Sequence, residues 1–364
     1  MEYRKLPHGV EQISVLGLGT SSLGETSEQE MIETEQAAVA QGINYFDMAS
    51  GHAKTFAAMG KALQGKRNQV YLQIHFGANY VTGEYGWTTD LDTIKQSIAW
   101  QLDLLQTDYI DFGFIHCIDE LSDLDQIIKT GVLDYIQSLK QEEIVHHIGL
   151  SSHTPEVVHK VLDMHILDVV MFSINPAYDN QQGDYAYGEA QERMRLYQRC
   201  EKEGVGITVM KPFCGGQLLD SQKSCFQEAL SEVQCIQYAL DKPAVLNVLP
   251  GVRNQNDLAK VMAYLTASTV EKDYSVLGSF ENVKDKGSCV YCKHCHPCPA
   301  KLDIALINKY YDLALLGDEL AKDHYRHLEK KASDCIQCGH CNHRCPFHVD
   351  QMMRMKEIAA YFSE

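Results

Sequence analysis

Apolar and polar positions along the first 270 residues follow a regular order, in which a short, almost wholly apolar run precedes a longer amphipathic run. Short runs of this kind are typical of strands buried on both faces of a sheet, whereas the longer runs carry apolar positions at helical spacing. The predicted strands are ISVLGLG, INYFDMA, VYLQIHFG, YIDFGFIH, HHIGLSS, DVVMFSIN, GITVMKPF and VLNVLPGV. Eight strand–helix units in roughly 250 residues predict an α/β fold of the (β/α)8 TIM-barrel type.

The alternation ends after about residue 268, where the pattern gives way to a polar stretch. We therefore assign residues 1–268 to the barrel, with YRKLPHGVEQISVL as a hairpin before the first barrel strand and HG as its turn. Residues 269–287 are interpreted as a linker. Residues 288–364, rich in cysteine and otherwise helical in pattern, are predicted to form a second, smaller domain of the α-helical ferredoxin-like type.

Composition and charge narrow the classes of function. The formal net charge of −17 is spread along all 364 residues, which argues against nucleic acid and anionic membranes as partners. The N-terminal residues do not resemble a signal peptide, and no run approaches the roughly 20 apolar residues that span a bilayer. We expect a cytoplasmic protein. In that reducing compartment the 13 cysteines favour metal ligation over disulfides.

Eight of the cysteines form two runs near the C-terminus, CVYCKHCHPCP and CIQCGHCNHRCP. Two-residue spacings let three thiolates of one loop hold an iron–sulfur cube, while the last cysteine of each run, followed by proline, reaches the other cube. The predicted ligands of the first [4Fe-4S] cluster are Cys289, Cys292, Cys295 and Cys345, and those of the second are Cys335, Cys338, Cys341 and Cys298. Two zinc sites are the alternative. The other five cysteines, Cys117 among them, are interpreted as buried small hydrophobic residues.

Catalytic residues of a (β/α)8 barrel lie at the C-terminal ends of its strands. The polar residues at these predicted ends are Asp47 with His52, His75, His116, Ser151-Ser152-His153, Asn175, Lys211 and the turn from Pro250 to Asn254. Three histidines, an aspartate and a lysine at one mouth indicate a functional site. A mononuclear metal site made of His52, His75, His116 and Asp47 is a further possibility, and so is a degenerate site in which the histidines are only hydrogen-bonded filler.

The barrel resembles the aldo-keto reductases. The motifs that carry the resemblance are GLGT at 17–20, NYFD and GKAL between 44 and 63, DYIDFGFIH ending at 116, IGLSS from 148 and VLPGVRNQNDL from 248. Together with MKP-x-x-GG and the cysteine-rich tail, these motifs are similar to a branch of that family with a C-terminal 4Fe-4S domain. The resemblance implies a TIM-barrel oxidoreductase that uses NADPH.

The resemblance also implies a catalytic tetrad of aspartate, tyrosine, lysine and histidine. Asp47 and His116 occupy their places, but the tyrosine position is His52 and the lysine position is His75. Imidazole titrates near neutral pH and can give or take a proton, so we expect Asp47, His52, His75 and His116 to be the catalytic residues. The loop ANYVTGEYGW offers Tyr80, Tyr85 and Trp87 as walls of the substrate pocket or as a displaced acid. Lys211 could replace the lost cation or pair with Asp47.

The positions that hold the nicotinamide cofactor in the family are altered as well. Where the family has a Ser-Asn pair, a glutamine and a stacking tyrosine, this chain has Ser151-Ser152, Met171 and Met210. The lysine and the arginine that bind the 2′-phosphate in the family are replaced by Gly251 and Asp257. Arg253 and backbone N–H groups could still bind phosphate. The residues predicted to bind a cofactor are Ser151, Ser152, Asn175, Lys211, Gly251, Val252, Arg253 and Asn254.

The sequence therefore favours an iron–sulfur oxidoreductase that acts on a small organic substrate, with histidine acid and base groups and electrons exchanged through two [4Fe-4S] clusters. A flavin in the barrel mouth would couple one-electron to two-electron chemistry, and a ferredoxin or flavodoxin would be the redox partner. Two alternatives remain. One is an NAD(P)H-dependent carbonyl reductase, and the other is a non-catalytic electron-transfer subunit with a degenerate barrel.

Overall fold

The computed structural model of the chain describes residues 1–279 and 287–362. Residues 280–286 of the predicted linker, and residues 363 and 364, lie outside the described residues. The strands are β1 Tyr3–Lys5, β2 Gln12–Ser14, β3 Leu18–Gly19, β4 Tyr45–Asp47, β5 Tyr71–Phe76, β6 Ala78–Asn79, β7 Gly86–Trp87, β8 Ile110–Ile115, β9 Val145–Ser152, β10 Val169–Ser173, β11 Gly206–Met210 and β12 Val245–Val248.

Helices alternate with the strands and then continue alone. They are α1 Glu28–Ala40, α2 Lys54–Ala62, α3 Leu91–Leu105, α4 Leu121–Lys129, α5 Val132–Gln141, α6 Pro155–Leu162, α7 Pro176–Asp179, α8 Ala190–Glu203, α9 Glu232–Leu240, α10 Gln255–Met262, α11 Ile304–Leu315, α12 Glu319–Arg326, α13 His340–Arg344 and α14 Gln351–Tyr361. No described helix combines the length and the apolar character needed to cross a membrane.

The predicted barrel is confirmed. Eight parallel strands follow one another in the order β3, β4, β5, β8, β9, β10, β11, β12. Parallel bridges from Leu16 to Val248 and from Gly19 to Gly251 join the last strand to the first and close the sheet. The chain before the barrel forms the antiparallel hairpin β1–β2. A second hairpin, β6–β7, follows β5 at the C-terminal end of the barrel.

Alternate side chains of the strands fill the interior of the barrel. Tyr45, Phe112, Phe114 and Met171 belong to this inner cluster and are almost completely buried. The other strand residues pack outward against the helices in a larger cluster. Since every position of β8, β10 and β11 is buried, these strands read as continuous apolar runs, which is why the sequence pattern located them.

One buried ion pair fixes the outer layer on the side of β10. Arg193 of α8 is fully buried, and its Nε lies 2.8 Å from Asp179 Oδ1. Asp179 also accepts hydrogen bonds from the hydroxyls of Tyr197, at 2.6 Å, and Tyr238, at 2.9 Å. The carboxylate thus joins α7, the short helix after β10, to both α8 and α9.

The residues after 287 pack against the outer helical layer of the barrel. The hydroxyl of Tyr291 accepts a hydrogen bond from Gln198 of α8 at 2.9 Å and donates one to Asp312 of α11 at 2.7 Å. Lys309 of α11 lies 2.6 Å from Glu201 of α8. These contacts join the helical C-terminal part to the barrel through α8.

We predict that Asp179→Ala lowers the free energy of unfolding by about 3–5 kcal/mol, because the variant leaves the buried Arg193 guanidinium without its partner. Urea unfolding followed by circular dichroism measures the change. The matched control is Asp163→Ala, which removes an exposed partner of Arg199 and should change the stability little. Equal effects of the two variants would contradict the importance assigned to the buried pair.

Candidate active site and C-terminal thiol groups

A cavity of about 730 Å³ opens at the C-terminal ends of the barrel strands. At one end its lining includes Asp47, Tyr85 and His116, and at the other it includes Arg253, just before α10, and Lys260 in the last turn of α10. Its volume lies within the range of pockets that hold small molecules and cofactors.

A continuous line of hydrogen bonds runs from the floor of the cavity to its wall. His75 Nε2 lies 2.7 Å from Asp47 Oδ1, and His75 Nδ1 lies 2.8 Å from His116 Nδ1. His116 Nε2 lies 2.8 Å from the hydroxyl of Tyr85. Asp47, His75 and His116 are buried, whereas 42% of Tyr85 is exposed, so the line connects a buried carboxylate to a phenol at the surface of the cavity.

With one proton on each imidazole, the donors and acceptors in this line have one consistent assignment. A carboxylate can only accept, so His75 donates from Nε2 to Asp47 and accepts at Nδ1 from His116 Nδ1–H. His116 Nε2 then accepts a hydrogen bond from the hydroxyl of Tyr85. Burial lowers the pKa of His116 well below its usual value, with a further contribution from the neighbouring His75, so this imidazole is neutral as the assignment requires.

Gln73 and Phe114 hold the line in place. The Gln73 amide donates to Asp47 Oδ1 at 3.2 Å, and its carbonyl oxygen accepts from the hydroxyl of Tyr45 at 2.8 Å. The ring of His75 packs on Phe114 with a centroid distance of 5.5 Å. Because these neighbours are buried inside the barrel, Asp47 and His75 have little freedom to move.

Tyr85 is positioned by the hairpin β6–β7, in the loop that follows the third barrel strand. Its backbone N–H bonds to Gly51 O at 3.4 Å, and the Trp87 indole donates to His116 O at 3.1 Å. Burial raises the pKa of Tyr85 to about 12, with smaller contributions from Cys117 and Tyr185, so the hydroxyl is protonated at neutral pH. The loop was expected to supply pocket walls or a displaced acid, and the structure places Tyr85 in contact with His116.

His52 stands apart from the other three predicted catalytic residues. Its Nδ1 lies 3.0 Å from the carboxylate of Glu84, and it does not line the cavity. A backbone bridge also joins His52 to Glu84. The structure therefore brings Asp47, His75 and His116 together and leaves His52 as an anchor for the loop that carries Tyr85.

The alternative of a metal ion held by His52, His75, His116 and Asp47 finds no support in the described residues. Their ligand atoms do not surround one point, since three of the residues form a line and His52 faces Glu84. The ligand atoms that do lie within 4.8 Å of one another belong to Cys117, Asp119 and His153.

Lys211 faces this second group instead of Asp47. Burial lowers the pKa of Lys211, while the nearby Cys117 and Asp119 partly oppose the shift. Asp119 accepts hydrogen bonds from His153 N at 2.6 Å and His153 Nδ1 at 2.9 Å. Cys117 lines the cavity, so its interpretation as a buried hydrophobic residue is wrong. Asp119 was missed, although its position three residues after His116 at a strand end could have indicated it.

The residues predicted to bind a cofactor fall into two sets. Four of them line the cavity, namely Ser151, Lys211, Gly251 and Arg253. The other four do not, because their side chains are turned inward or used for local structure; they are Ser152, Asn175, Val252 and Asn254. The Ser152 hydroxyl bonds to Asp119 at 3.2 Å, Val252 is fully buried, and Asn175 and Asn254 cap the starts of α7 and α10.

The thiols near the C-terminus form two neighbouring groups. Burial raises the pKa of Cys289 to about 12, with a contribution from Cys292, and raises that of Cys292 to about 11, with a contribution from Cys345. Cys298, Cys335, Cys338 and Cys341 together line one small pocket. The last cysteine of each run therefore lies beside cysteines of the other run. None of these eight cysteines lines the cavity at the barrel mouth.

Comparisons with known proteins agree with the barrel. The sequence profile described as "Aldo/keto reductase family" matches residues 15–229. The chain is 28% identical over 277 residues to the uncharacterized oxidoreductase YqkF of Bacillus subtilis, which covers 69% of this chain and 87% of that protein. It is 25% identical over 299 residues to L-galactose dehydrogenase of Arabidopsis thaliana, which covers 73% of this chain and 88% of the relative.

Solved structures show the same fold. The holo form of aldo-keto reductase AKR11C1 from Bacillus halodurans superimposes with a TM-score of 0.61 at 23% identity, over 75% of this chain and 94% of that chain. Since the profile spans more than half of the residues and the strands close into the matching barrel, this chain belongs to the aldo/keto reductase family and is an oxidoreductase of that type.

Proposed function

We propose that the barrel is a nicotinamide-dependent oxidoreductase that interconverts a small carbonyl compound and the corresponding alcohol. The observation that carries this proposal is the single cavity that joins the hydrogen-bonded line ending at Tyr85 to two basic residues, Arg253 just before α10 and Lys260 in its last turn. Such a cavity offers acid–base chemistry at one end and phosphate recognition at the other.

The lining combines apolar and polar groups of the kinds that a dinucleotide contacts. Met171 and Met210 give an apolar floor near the acid–base line, and Ser151 lies beside them. Gly251 lets its turn pack closely against Ser22, because a Cβ at Gly251 would meet the Ser22 hydroxyl at 2.9 Å. Arg253 is held by Asp257, with 2.9 Å between Nε and Oδ2. These residues would hold the cofactor, and a bound reduced nicotinamide would supply hydride to a carbonyl carbon.

The comparisons favour this proposal over the iron–sulfur oxidoreductase that the sequence first suggested. The family match covers the barrel alone, and two relatives are named as an oxidoreductase and as L-galactose dehydrogenase. A dehydrogenase of a polyhydroxylated compound performs the same interconversion of alcohol and carbonyl. For this chain the polar wall made of Cys117, His153 and Lys211 is consistent with a small polar substrate.

A second proposal concerns the C-terminal residues, which we interpret as an electron-transfer domain with two [4Fe-4S] clusters. The grouping of Cys345 with Cys292, and of Cys298 with Cys335, Cys338 and Cys341, supports the crossed ligand sets. The Val349 N–H lies 3.5 Å from the sulfur of Cys345, and hydrogen bonds of this kind adjust cluster potentials. A ferredoxin or flavodoxin would be the exchange partner. Zinc bound by the same thiols is the competing occupant.

We predict that the wild-type protein binds NADPH and that Arg253→Ala combined with Lys260→Ala raises the dissociation constant about tenfold. The expected change is modest because both side chains are half exposed and water competes for their hydrogen bonds. Fluorescence titration measures the binding. NADH lacks the 2′-phosphate and serves as the control, whose affinity should change little. Failure of the wild type to bind either nucleotide at about 1 mM would contradict the proposed function.

We predict that anaerobically prepared protein carries about eight irons and eight sulfides per chain and that Cys298→Ala loses about half of each. The reason is that Cys298 lines one pocket together with Cys335, Cys338 and Cys341, and would be the fourth ligand of the cluster held there. Metal and sulfide analysis with electron paramagnetic resonance measures the loss. Cys225→Ala, at an exposed thiol outside both groups, is the control. Two zinc ions without sulfide would refute the cluster proposal.

A further inference from the structure

The family's tyrosine is missing from its usual position in this chain, and the structure offers a replacement. We infer that Tyr85 is the catalytic residue that exchanges a proton with the substrate oxygen, through a relay that ends at Asp47. This inference rests on the proposed carbonyl–alcohol chemistry and adds the identity of its acid–base group.

Position is the first argument. The phenol of Tyr85 lines the cavity and contacts His116, whose ring forms part of the same wall. The loop that carries Tyr85 packs on residues 51–53, where the family's tyrosine would lie, through hydrogen bonds between Tyr85 N and Gly51 O and between Ala53 N and Gly83 O at 3.3 Å. Tyr85 therefore reaches the acid–base centre from the loop after β5.

The direction of the hydrogen bonds is the second argument. With one proton on each imidazole, every proton in the line points toward Asp47: from Tyr85 to His116 Nε2, from His116 Nδ1 to His75 Nδ1, and from His75 Nε2 to the carboxylate. The phenolic oxygen keeps a lone pair free toward the cavity. It can accept the proton of a substrate alcohol while its own proton moves one step along the line.

The step balances without an additional reagent. When the alcohol is oxidised, its carbon loses a hydride to bound oxidised nicotinamide, and its hydroxyl proton forms a bond to the oxygen of Tyr85. The protons of Tyr85, His116 and His75 each shift to the next acceptor, so that Asp47 becomes protonated and both imidazoles remain neutral. Carbonyl reduction follows the same path in reverse and starts from the form with Asp47 protonated, which takes up its proton from water. A concerted shift forms no imidazolium at His116, which suits the strong burial of that ring.

Other candidates lack one of these features. The hydroxyl of Tyr80 is buried and donates to Ser50 O at 3.0 Å, and Tyr80 itself does not line the cavity. Lys211 packs over the ring of Tyr185 at 4.2 Å and faces Asp119. His52 is held by Glu84 and acts on the reaction through the loop of Tyr85.

The test compares the rates at which the variants reduce an activated aldehyde, 4-nitrobenzaldehyde, with NADPH. Tyr85→Phe should lower kcat/KM about 10²- to 10⁴-fold, as expected for loss of a general acid, and leave NADPH affinity unchanged. Tyr187→Phe is the matched control, because 45% of Tyr187 is exposed, close to the 42% of Tyr85, and it does not line the cavity. It should keep the wild-type rate.

Each outcome has a distinct meaning. A Tyr85→Phe variant as active as wild type would overturn the inference and leave the proposed function standing. A larger loss for His52→Asn than for Tyr85→Phe would move the acid role to His52. Wild-type protein with no activity above the uncatalysed rate would remove the proposed function and this inference together.

A second measurement does not depend on turnover. In ¹⁵N NMR of histidine-labelled protein, His116 Nε2 should have the shift of an unprotonated acceptor, and Tyr85→Phe should change that shift while His147 keeps its own. A protonated His116 Nε2 in the wild type would reverse the direction of the line and overturn the inference.

Discussion

The hydrogen bond between Asp47 and His75 is the contact on which the chemistry of this barrel depends. It fixes the acceptor end of a line that continues from His75 through His116 to Tyr85. Because the inner packing of Gln73 and Phe114 holds these side chains, the barrel core also determines the geometry of its catalytic mouth. Where the family has a lysine beside its aspartate, this chain has the imidazole of His75.

The strands, and the grouping of Asp47, His75 and His116 at one end of the barrel, could be predicted from the sequence. Asp47, His75 and His116 end apolar strands, and parallel strands bring their ends to one edge. The orientation of His52 could not be predicted, because it depends on Glu84 in a loop more than 30 residues later. The same applies to Tyr85, whose place is set by the hairpin β6–β7. Ser152 and Asn175 were predicted to bind a cofactor from strand position alone, and local hydrogen bonds use both side chains.

The cavity at the barrel mouth and the C-terminal cysteines are two separate candidate sites. The residues after 287 pack on α8, and the eight thiols share no lining residue with the mouth cavity. The spacing of the cysteines predicted which ones gather, since a loop of two residues between thiols limits where they can point. The proposed hydride chemistry in the barrel therefore does not require a cluster at the mouth, and the proposed clusters would exchange electrons along the outer helical layer.

The most direct measurement of the central claim is a crystal structure of the protein with a nicotinamide cofactor and a carbonyl inhibitor bound in the mouth cavity. The account predicts that the inhibitor's oxygen lies within hydrogen-bond distance of the Tyr85 hydroxyl, about 2.6–3.2 Å, with the bond from Tyr85 to His116 preserved. An oxygen bound instead by His52 or Lys211, with Tyr85 turned away from His116, would contradict it.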